Sequence, residues 1–310
     1  MQKLSIIVPC YNEQEVLTLF NDEIHENVLN VIKNDYTYEL LFINDGSSDD
    51  TLNILKSLKE SDNNIRIISF SRNFGKEAAI YAGLENSTGD LIVLMDADLQ
   101  HSPEKILEML DGISEGFDVV TTVRKNRKGE SKIRSLFSRF FYKLMHDSTK
   151  IEVKQGSQDF RMMTRQVVNA ILELKEYNRF SKGIFSWVGF NVKYIETENR
   201  QRAAGKSKWN FFGLLRYATE GIISFSTMPL KFSIIFGLII SLLAIILGII
   251  VFFQTLFLGK DVPGYASIIV SVLFIGGVQL ISIGILSEYI SKIYMEIKNR
   301  PKYIIKDKID

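Results

Sequence analysis

Apolar residues in the first 125 positions fall into five short runs, at 4–9, 38–44, 65–71, 90–95 and 118–123, each bounded by polar, turn-forming residues. Runs of this length, rich in Ile, Val, Leu and Phe, predict β-strands buried on both faces. The intervening stretches, 14–32, 50–61, 75–86 and 103–113, carry helical spacing and capping residues. Ser47, Ser48 and Asp49 precede the second of them. Ser102 followed by Pro103 predicts the N-cap and first helical residue of the fourth. Strands alternating with helices predict βαβ units, an α/β class and a mainly parallel sheet covered on both faces.

The pattern changes towards the end of the chain. Residues 232–258 and 262–287 are two uncharged runs, separated only by Gly259, Lys260 and Asp261. Each exceeds the ~20 apolar residues needed to cross a hydrocarbon layer, so they predict two transmembrane helices joined as a hairpin. Arg216 and Lys231 precede the pair, and Lys292, Lys298, Arg300 and Lys302 follow it. Positive-inside counting therefore places both ends in the cytoplasm, with the chain multi-pass in the cytoplasmic membrane. Met1-Gln2-Lys3 runs straight into the first strand, which predicts no signal peptide. Residues 209–228 are aromatic-rich and sparsely charged, and read equally as an interfacial helix or a core helix. The expected division is a cytoplasmic domain over 1–208, a juxtamembrane helix over 209–230, the hairpin over 231–288 and a cytoplasmic tail over 289–310.

Composition narrows the chemistry. Lys+Arg number 37 against 36 for Asp+Glu, a net charge of +1, which removes a whole-protein electrostatic case for nucleic acid. A single cysteine, Cys10, excludes an internal disulfide framework and suits a reducing compartment. Ligands on an open α/β sheet bind beyond the carboxyl ends of its strands. There the sequence places Pro9-Cys10-Tyr11-Asn12-Glu13, Asn44-Asp45-Gly46-Ser47 and Asp96-Ala97-Asp98-Leu99-Gln100. No G-x-G-x-x-G follows the first strand and no P-loop occurs, which disfavours dinucleotide cofactors and P-loop NTPases. Two aspartates at i and i+2 leaving a strand can share a hard divalent cation, Mg²⁺ or Mn²⁺, whose shell is completed by substrate phosphate.

The segments VPCYNE (8–13), INDGSSD (43–49) and DADLQHSP (96–103) resemble the motifs of family 2 glycosyltransferases with the Rossmann-like GT-A fold. RNFGKEAAIYAGL (72–84), QDFRMM (158–163), AAGKSKW (203–209) and EIKNRPKYII (296–305) resemble the polyprenyl-phosphate branch. That branch includes dolichyl-phosphate mannose synthases and GtrB-like bactoprenol glucosyltransferases. The resemblance implies a nucleotide-sugar site at Pro9, Tyr11, Glu13, Asp45, Asp96, Asp98 and Arg202. It implies metal ligation by Asp96, Asp98 and Gln100, and catalytic roles for Asp98 and Asp159. Where many relatives carry D-D-G-S, this chain has Asn44-Asp45-Gly46-Ser47. The implied reaction is inverting transfer of one sugar, glucose or N-acetylglucosamine, from a UDP-sugar to undecaprenyl or another polyprenyl phosphate.

From Arg124 to Lys143 eight cations face one acid, while Ile133, Leu136, Phe137, Phe140, Phe141, Leu144 and Met145 form a helical apolar stripe. Beside transmembrane runs this reads as a membrane-surface element facing anionic lipid, against the alternative of a solvated face over a core helix. By resemblance, Arg124, Arg134, Ser138 and Lys208 are expected at the acceptor phosphate. A phosphate monoester has its second pKa near ~6 and is already a nucleophile at neutral pH. Asp159 is therefore expected to position the acceptor or order neighbouring cations rather than remove a proton. Two rivals stay in view. A processive polysaccharide synthase would carry Q-x-x-R-W, whereas Gln201-Arg202 is followed here by Ala203-Ala204. An inactive nucleotide-sugar scaffold would not need Asp45, Asp96, Asp98, Asp159 and Arg202 together. Gly276, Gly277 and Gly284 would permit close helix packing, which leaves a homo-oligomer open.

Overall fold

A computed structural model of the chain describes residues 1–124, 154, 156–197, 223, 226–258 and 264–310. The five predicted strands form: β1 (Gln2–Cys10), β2 (Tyr36–Asn44), β3 (Ile65–Phe70), β4 (Leu91–Leu94) and β5 (Val119–Arg124). Three more join them, β6 (Ser157–Thr164), β7 (Val192–Thr197) and β8 (Ile305–Ile309), in one eight-stranded sheet ordered β7-β5-β6-β4-β1-β2-β3-β8. β1 pairs parallel with β2 and β4, β2 with β3, and β5 with β7. β6 runs antiparallel between β4 and β5, so consecutive strands 4 and 5 are not neighbours. The sheet is mixed rather than a simple parallel series.

Helix α1 (Leu17–Ile24) continues through a π-helical turn (His25–Leu29) into a last turn (Asn30–Ile32). The next three are α2 (Thr51–Ser61), α3 (Lys76–Asn86) and α4 (Lys105–Ser114). α4 begins later than its Ser-Pro signal predicts, because 102–105 form a tighter turn in which Lys105 N–H donates to the Ser102 carbonyl at 3.2 Å. After β6 come α5 (Arg165–Glu173) and α6 (Ser181–Trp187). One sheet face is sealed by Phe20 and Ile24 of α1, Leu55 of α2 and Ile106 and Met109 of α4. The other is sealed by Ala79 and Ala82 of α3, Val168 and Ile171 of α5 and Ile184 of α6. α3 lies unusually close to the sheet: a Cβ on Gly83 would sit 2.2 Å from Ile7 Cγ2. α3 starts at the carboxyl edge because it follows β3 through the short 71–75 loop.

Two long helices follow, α7 (Met228–Leu258) and α8 (Tyr265–Ile297). At ~1.5 Å per residue they measure about 46 and 50 Å, longer than a ~30 Å hydrocarbon core. Their apolar windows, Met228–Gln254 and Ser267–Ile297, have none of their length buried within the protein. α8 ends where Asn299 takes a left-handed conformation (φ 46°), with Pro301 just beyond, a common way to stop a helix. The chain then returns to the sheet. Residues 289–310, set apart as a tail by the hydropathy pattern, supply the end of α8 and edge strand β8, antiparallel to β3. Tyr303 stacks on Phe70 at 4.9 Å and donates to Glu85, and Arg66 pairs with Asp310 at 2.8 Å. The strand's IKDKI alternation gives little apolar signal, as befits an exposed edge.

Candidate active site

Parallel pairing puts the carboxyl ends of β1, β2 and β4 on one edge, and β6, antiparallel to both β4 and β5, sets the end of β5 there and brings its own first residues to it. The first two loops interlock. Asn12 N–H donates to Ser47 Oγ at 3.0 Å, and Ser48 N–H donates to Asn12 Oδ1 at 2.9 Å. Glu13 N–H donates to Thr51 Oγ1 at 2.9 Å and Asp50 N–H to Gln14 Oε1 at 2.9 Å. Asn12 pays for this fit with a left-handed backbone (φ 54°), a conformation that concentrates at functional sites. Tyr11, between Pro9 and Glu13 in the first of these segments, is 38% exposed.

Asp45 is buried, and both its oxygens accept backbone N–H groups from the β3–α3 loop, Phe74 at 2.6 Å and Gly75 at 2.9 Å. Burial raises its pKa even though these two bonds oppose the shift. Gly46 beside it is at φ +63°, where a Cβ would lie 2.3 Å from the Arg72 carbonyl carbon. The D-G pair thus clamps one site loop against another.

The Asp-x-Asp side of the edge centres on a residue that none of the motifs singled out. Lys76, the first residue of α3, contacts Asp96 Oδ1 and Asp159 Oδ2, each at 2.8 Å. Desolvation would lower the Lys76 pKa; the Asp96 and Asp159 carboxylates outweigh it and hold the ammonium above its ordinary range. Burial would likewise raise Asp159. The charges of Lys76 and Lys182, the Lys76 hydrogen bond and Arg161 overcome it and keep the carboxyl well below the usual range. Arg161, two residues along β6, is pushed down to about 10 by burial and packs its guanidinium over the Phe185 ring at 3.9 Å. It donates to the Gln158 carbonyl at 2.8 Å, bracing the strand that carries Asp159. Glu77 accepts the Ser181 N–H at 3.1 Å and its hydroxyl, tying α6 to α3 and bringing Lys182 towards Asp159.

Asp98 Oδ1 accepts the Gln100 N–H at 3.1 Å across Leu99, which is left-handed at φ 55°. His101 is buried and stacks on Phe160 at 5.5 Å, and its Nδ1 has no partner among the described residues. Asp96, Asp98 and Gln100 present hard oxygen donors, the chemistry of a Mg²⁺ or Mn²⁺ site. No three His, Cys, Asp or Glu side chains converge among the described residues, so such a cation would complete its shell with water or with oxygens brought by the substrate. Arg124 ends β5 on the same edge, its N–H donating to the Gly156 carbonyl at 3.2 Å. Arg134, Ser138, Arg202 and Lys208 lie outside the described residues, as do the basic stripe beyond Arg124 and nearly all of 209–228.

A mixed α/β sheet of the GT-A kind, with an Asp-x-Asp loop and opposed carboxylates at its carboxyl edge and two apolar helices after it, defines a membrane-associated glycosyltransferase. Residues 5–172 match the glycosyl transferase family 2, and residues 228–293 match the GtrB C-terminal hairpin. The chain belongs to glycosyl transferase family 2. It is 48% identical to the Bacillus subtilis protein CsbB, over 98% of this chain and 91% of that one. It is 42% identical to the bactoprenol glucosyl transferase of Shigella phage SfII, over 98% of this chain and 97% of that protein. Among solved structures, glucosyl-3-phosphoglycerate synthase from Mycobacterium tuberculosis is similar at a TM-score of 0.48 and 18% identity, covering 72% of this chain and 78% of that one.

Proposed function

We propose that this enzyme transfers a single sugar, glucose or N-acetylglucosamine, from a UDP-sugar to undecaprenyl or a related polyprenyl phosphate at the cytoplasmic leaflet. The observation that carries the reading is the 42% identity, over almost the full length of both chains, to a bactoprenol glucosyl transferase. The active edge and the hairpin suit an acceptor whose phosphate is polar and whose tail stays in lipid. Both termini lie on the cytoplasmic side in this reading, and Arg124, Arg134, Ser138 and Lys208 receive the acceptor phosphate.

The interlocked loops carrying Pro9, Tyr11 and Glu13 hold the nucleotide, with Asp45 fixing the wall behind it and Arg202 on the phosphates. Asp96, Asp98 and Gln100 would hold Mg²⁺ or Mn²⁺, which supplies neutralisation of charge on the departing diphosphate. An acceptor phosphate oxygen forms the new bond to the anomeric carbon from the face opposite UDP. The bond from that carbon to the β-phosphate oxygen breaks, and its electron pair leaves with UDP. The configuration inverts, and no proton has to move. Asp159 is poorly suited to proton abstraction, because neighbouring cations hold it in its weakly basic, ionised form. Its contribution is to order Lys76 and Lys182 at the reaction centre.

The test is a transfer assay with purified protein, undecaprenyl phosphate, Mg²⁺ or Mn²⁺ and a panel of radiolabelled UDP- and GDP-sugars, read by extraction into organic solvent. Label in the lipid from one UDP-sugar, lost in Asp98→Ala, is expected. Absence of lipid label with every donor, in folded protein that binds UDP, overturns the reading. Long glycan in place of one sugar per lipid indicates a processive synthase instead.

A further inference from the structure

Lys76 occupies an electrostatically awkward place. It opens α3, where the helix dipole disfavours a cation, so its position depends on the anions it meets. Asp96 and Asp159, 20 and 83 residues away in sequence, each lie 2.8 Å from its ammonium. The two have different alternatives. Asp159 also feels Lys182 and Arg161, so it keeps cationic company without Lys76. Asp96 belongs to the Asp-x-Asp loop and is the carboxylate that a divalent cation would need.

An ammonium and a divalent cation sharing one carboxylate repel each other, so they compete for Asp96. Lysine suits an exchange: its stem is flexible and its charge carries three rotatable donors, two of which are engaged here. Its side chain is 46% exposed, so no packing locks it in place. We propose that Lys76 is an exchangeable counter-ion of the active site. It neutralises Asp96 and Asp159 before substrate arrives and releases Asp96 when that residue takes up a divalent cation. Still held by Asp159, it then offers the freed N–H group to the reacting phosphates. This rests on the assignment of Asp96 to the cation in the proposed function. The Glu77–Ser181 tie keeps Lys182 beside Asp159 during the exchange.

The experiment measures Mn²⁺ binding to the purified full chain without any nucleotide, by electron paramagnetic resonance of free Mn²⁺, alongside the transfer assay. Lys76→Met is expected to bind Mn²⁺ at least tenfold more tightly than wild type, since nothing competes for Asp96, while kcat for transfer falls at least a hundredfold. Lys76→Arg, which keeps the charge, is expected to bind Mn²⁺ within about twofold of wild type. Asp96→Ala should abolish the gain when combined with Lys76→Met. Lys76→Gln replaces Lys76→Met if the latter does not fold. Mn²⁺ affinity unchanged or weakened in the charge-removing variant overturns the proposal. A wild-type enzyme that binds Mn²⁺ but glycosylates no lipid defeats the proposed acceptor instead, and leaves the Mn²⁺ comparison readable.

Discussion

The same side chains serve opposite ends in the two parts of this molecule. In the sheet domain Phe42 is fully buried, while on α7 Phe252 is 61% exposed and Leu238 65%. The domain hides its apolar groups and catches its polar ones in specific hydrogen bonds. The hairpin turns its apolar groups outward, on two helices long and apolar enough to cross a membrane. Position therefore matters residue by residue in the domain, whereas in the hairpin composition suffices. Paired truncations give the largest contrast. Phe42→Ala should destabilise the domain by about 3–5 kcal/mol, the cost of a large core cavity. Phe252→Ala should stay within ~0.5 kcal/mol. Denaturant unfolding of the purified protein, followed by domain fluorescence, checks both; similar losses in the two variants would erase the distinction.

A second contrast is in pH. Glu39 is buried next to Ser5, Thr88 and Arg66. Burial alone would raise its pKa, but hydrogen bonds from the Ser5 hydroxyl, the Thr88 N–H and Arg66 hold it down at about 2. A depressed carboxyl contributes stability that is complete above its unfolded pKa and is lost as pH falls towards the folded one. Domain stability should therefore drop between pH ~4.5 and ~2, by on the order of 3 kcal/mol from this group. α7 contains no Asp, Glu or His, so it should keep its helical signal over that window. Circular dichroism and domain fluorescence on wild type and Glu39→Gln separate the two. A Glu39→Gln protein with an unaltered acid slope would remove Glu39 as the cause.

Sequence legibility follows the same divide. The hairpin could be read outright, since lack of charge over a long span needs no partner to interpret. β1 to β5 were visible because buried strands are continuous apolar runs. β6 was hidden: QDFRMM mixes charge with apolar residues, its neighbours β4 and β5 precede it by dozens of residues, and its insertion made the sheet mixed. β8 was hidden because an edge strand need not look apolar. In the site, Asp96, Asp98 and Asp159 stood in recognisable motifs, and the structure gathers Asp96 and Asp159 on one ammonium. Lys76 escaped because its partners are remote in sequence. A lysine at a helix N-terminus, against the dipole, was the available signal.

Glycines offer a finer version of the contrast. Gly46→Ala forces a Cβ to 2.3 Å from the Arg72 backbone at a positive φ, so a loss of about 1–3 kcal/mol is expected. UDP binding should weaken with it, as the clamp around Asp45 loosens. Gly248→Ala on α7 meets nothing within 4 Å and should be neutral within ~0.5 kcal/mol. Calorimetric UDP titration and thermal unfolding read both variants. Wild-type UDP affinity in Gly46→Ala would show that the loop contact is dispensable.

The smallest expected effect lies where the two regions meet. Tyr303 follows α8 directly, stacks on Phe70 and joins its hydroxyl to Glu85 and Asn86 of α3. Burial first, and then the Glu85 carboxylate, raise its pKa, so the hydroxyl stays protonated and donates throughout the physiological range. Tyr303→Phe keeps the ring stack and removes the hydroxyl that donates to Glu85 and accepts from Asn86 Nδ2, which keeps its bond to the Ala82 carbonyl. It should cost about 0.5–1.5 kcal/mol, the net worth of the bond to Glu85 with little added by Asn86. β8 stays paired with β3 in this variant, because its backbone ladder and the Arg66–Asp310 pair are untouched. Limited proteolysis of the 301–310 segment should accelerate only several-fold, in step with that free energy. If it instead becomes as fast as in Tyr303→Ala, the hydroxyl rather than the stacked ring is what fastens the membrane hairpin to the catalytic sheet.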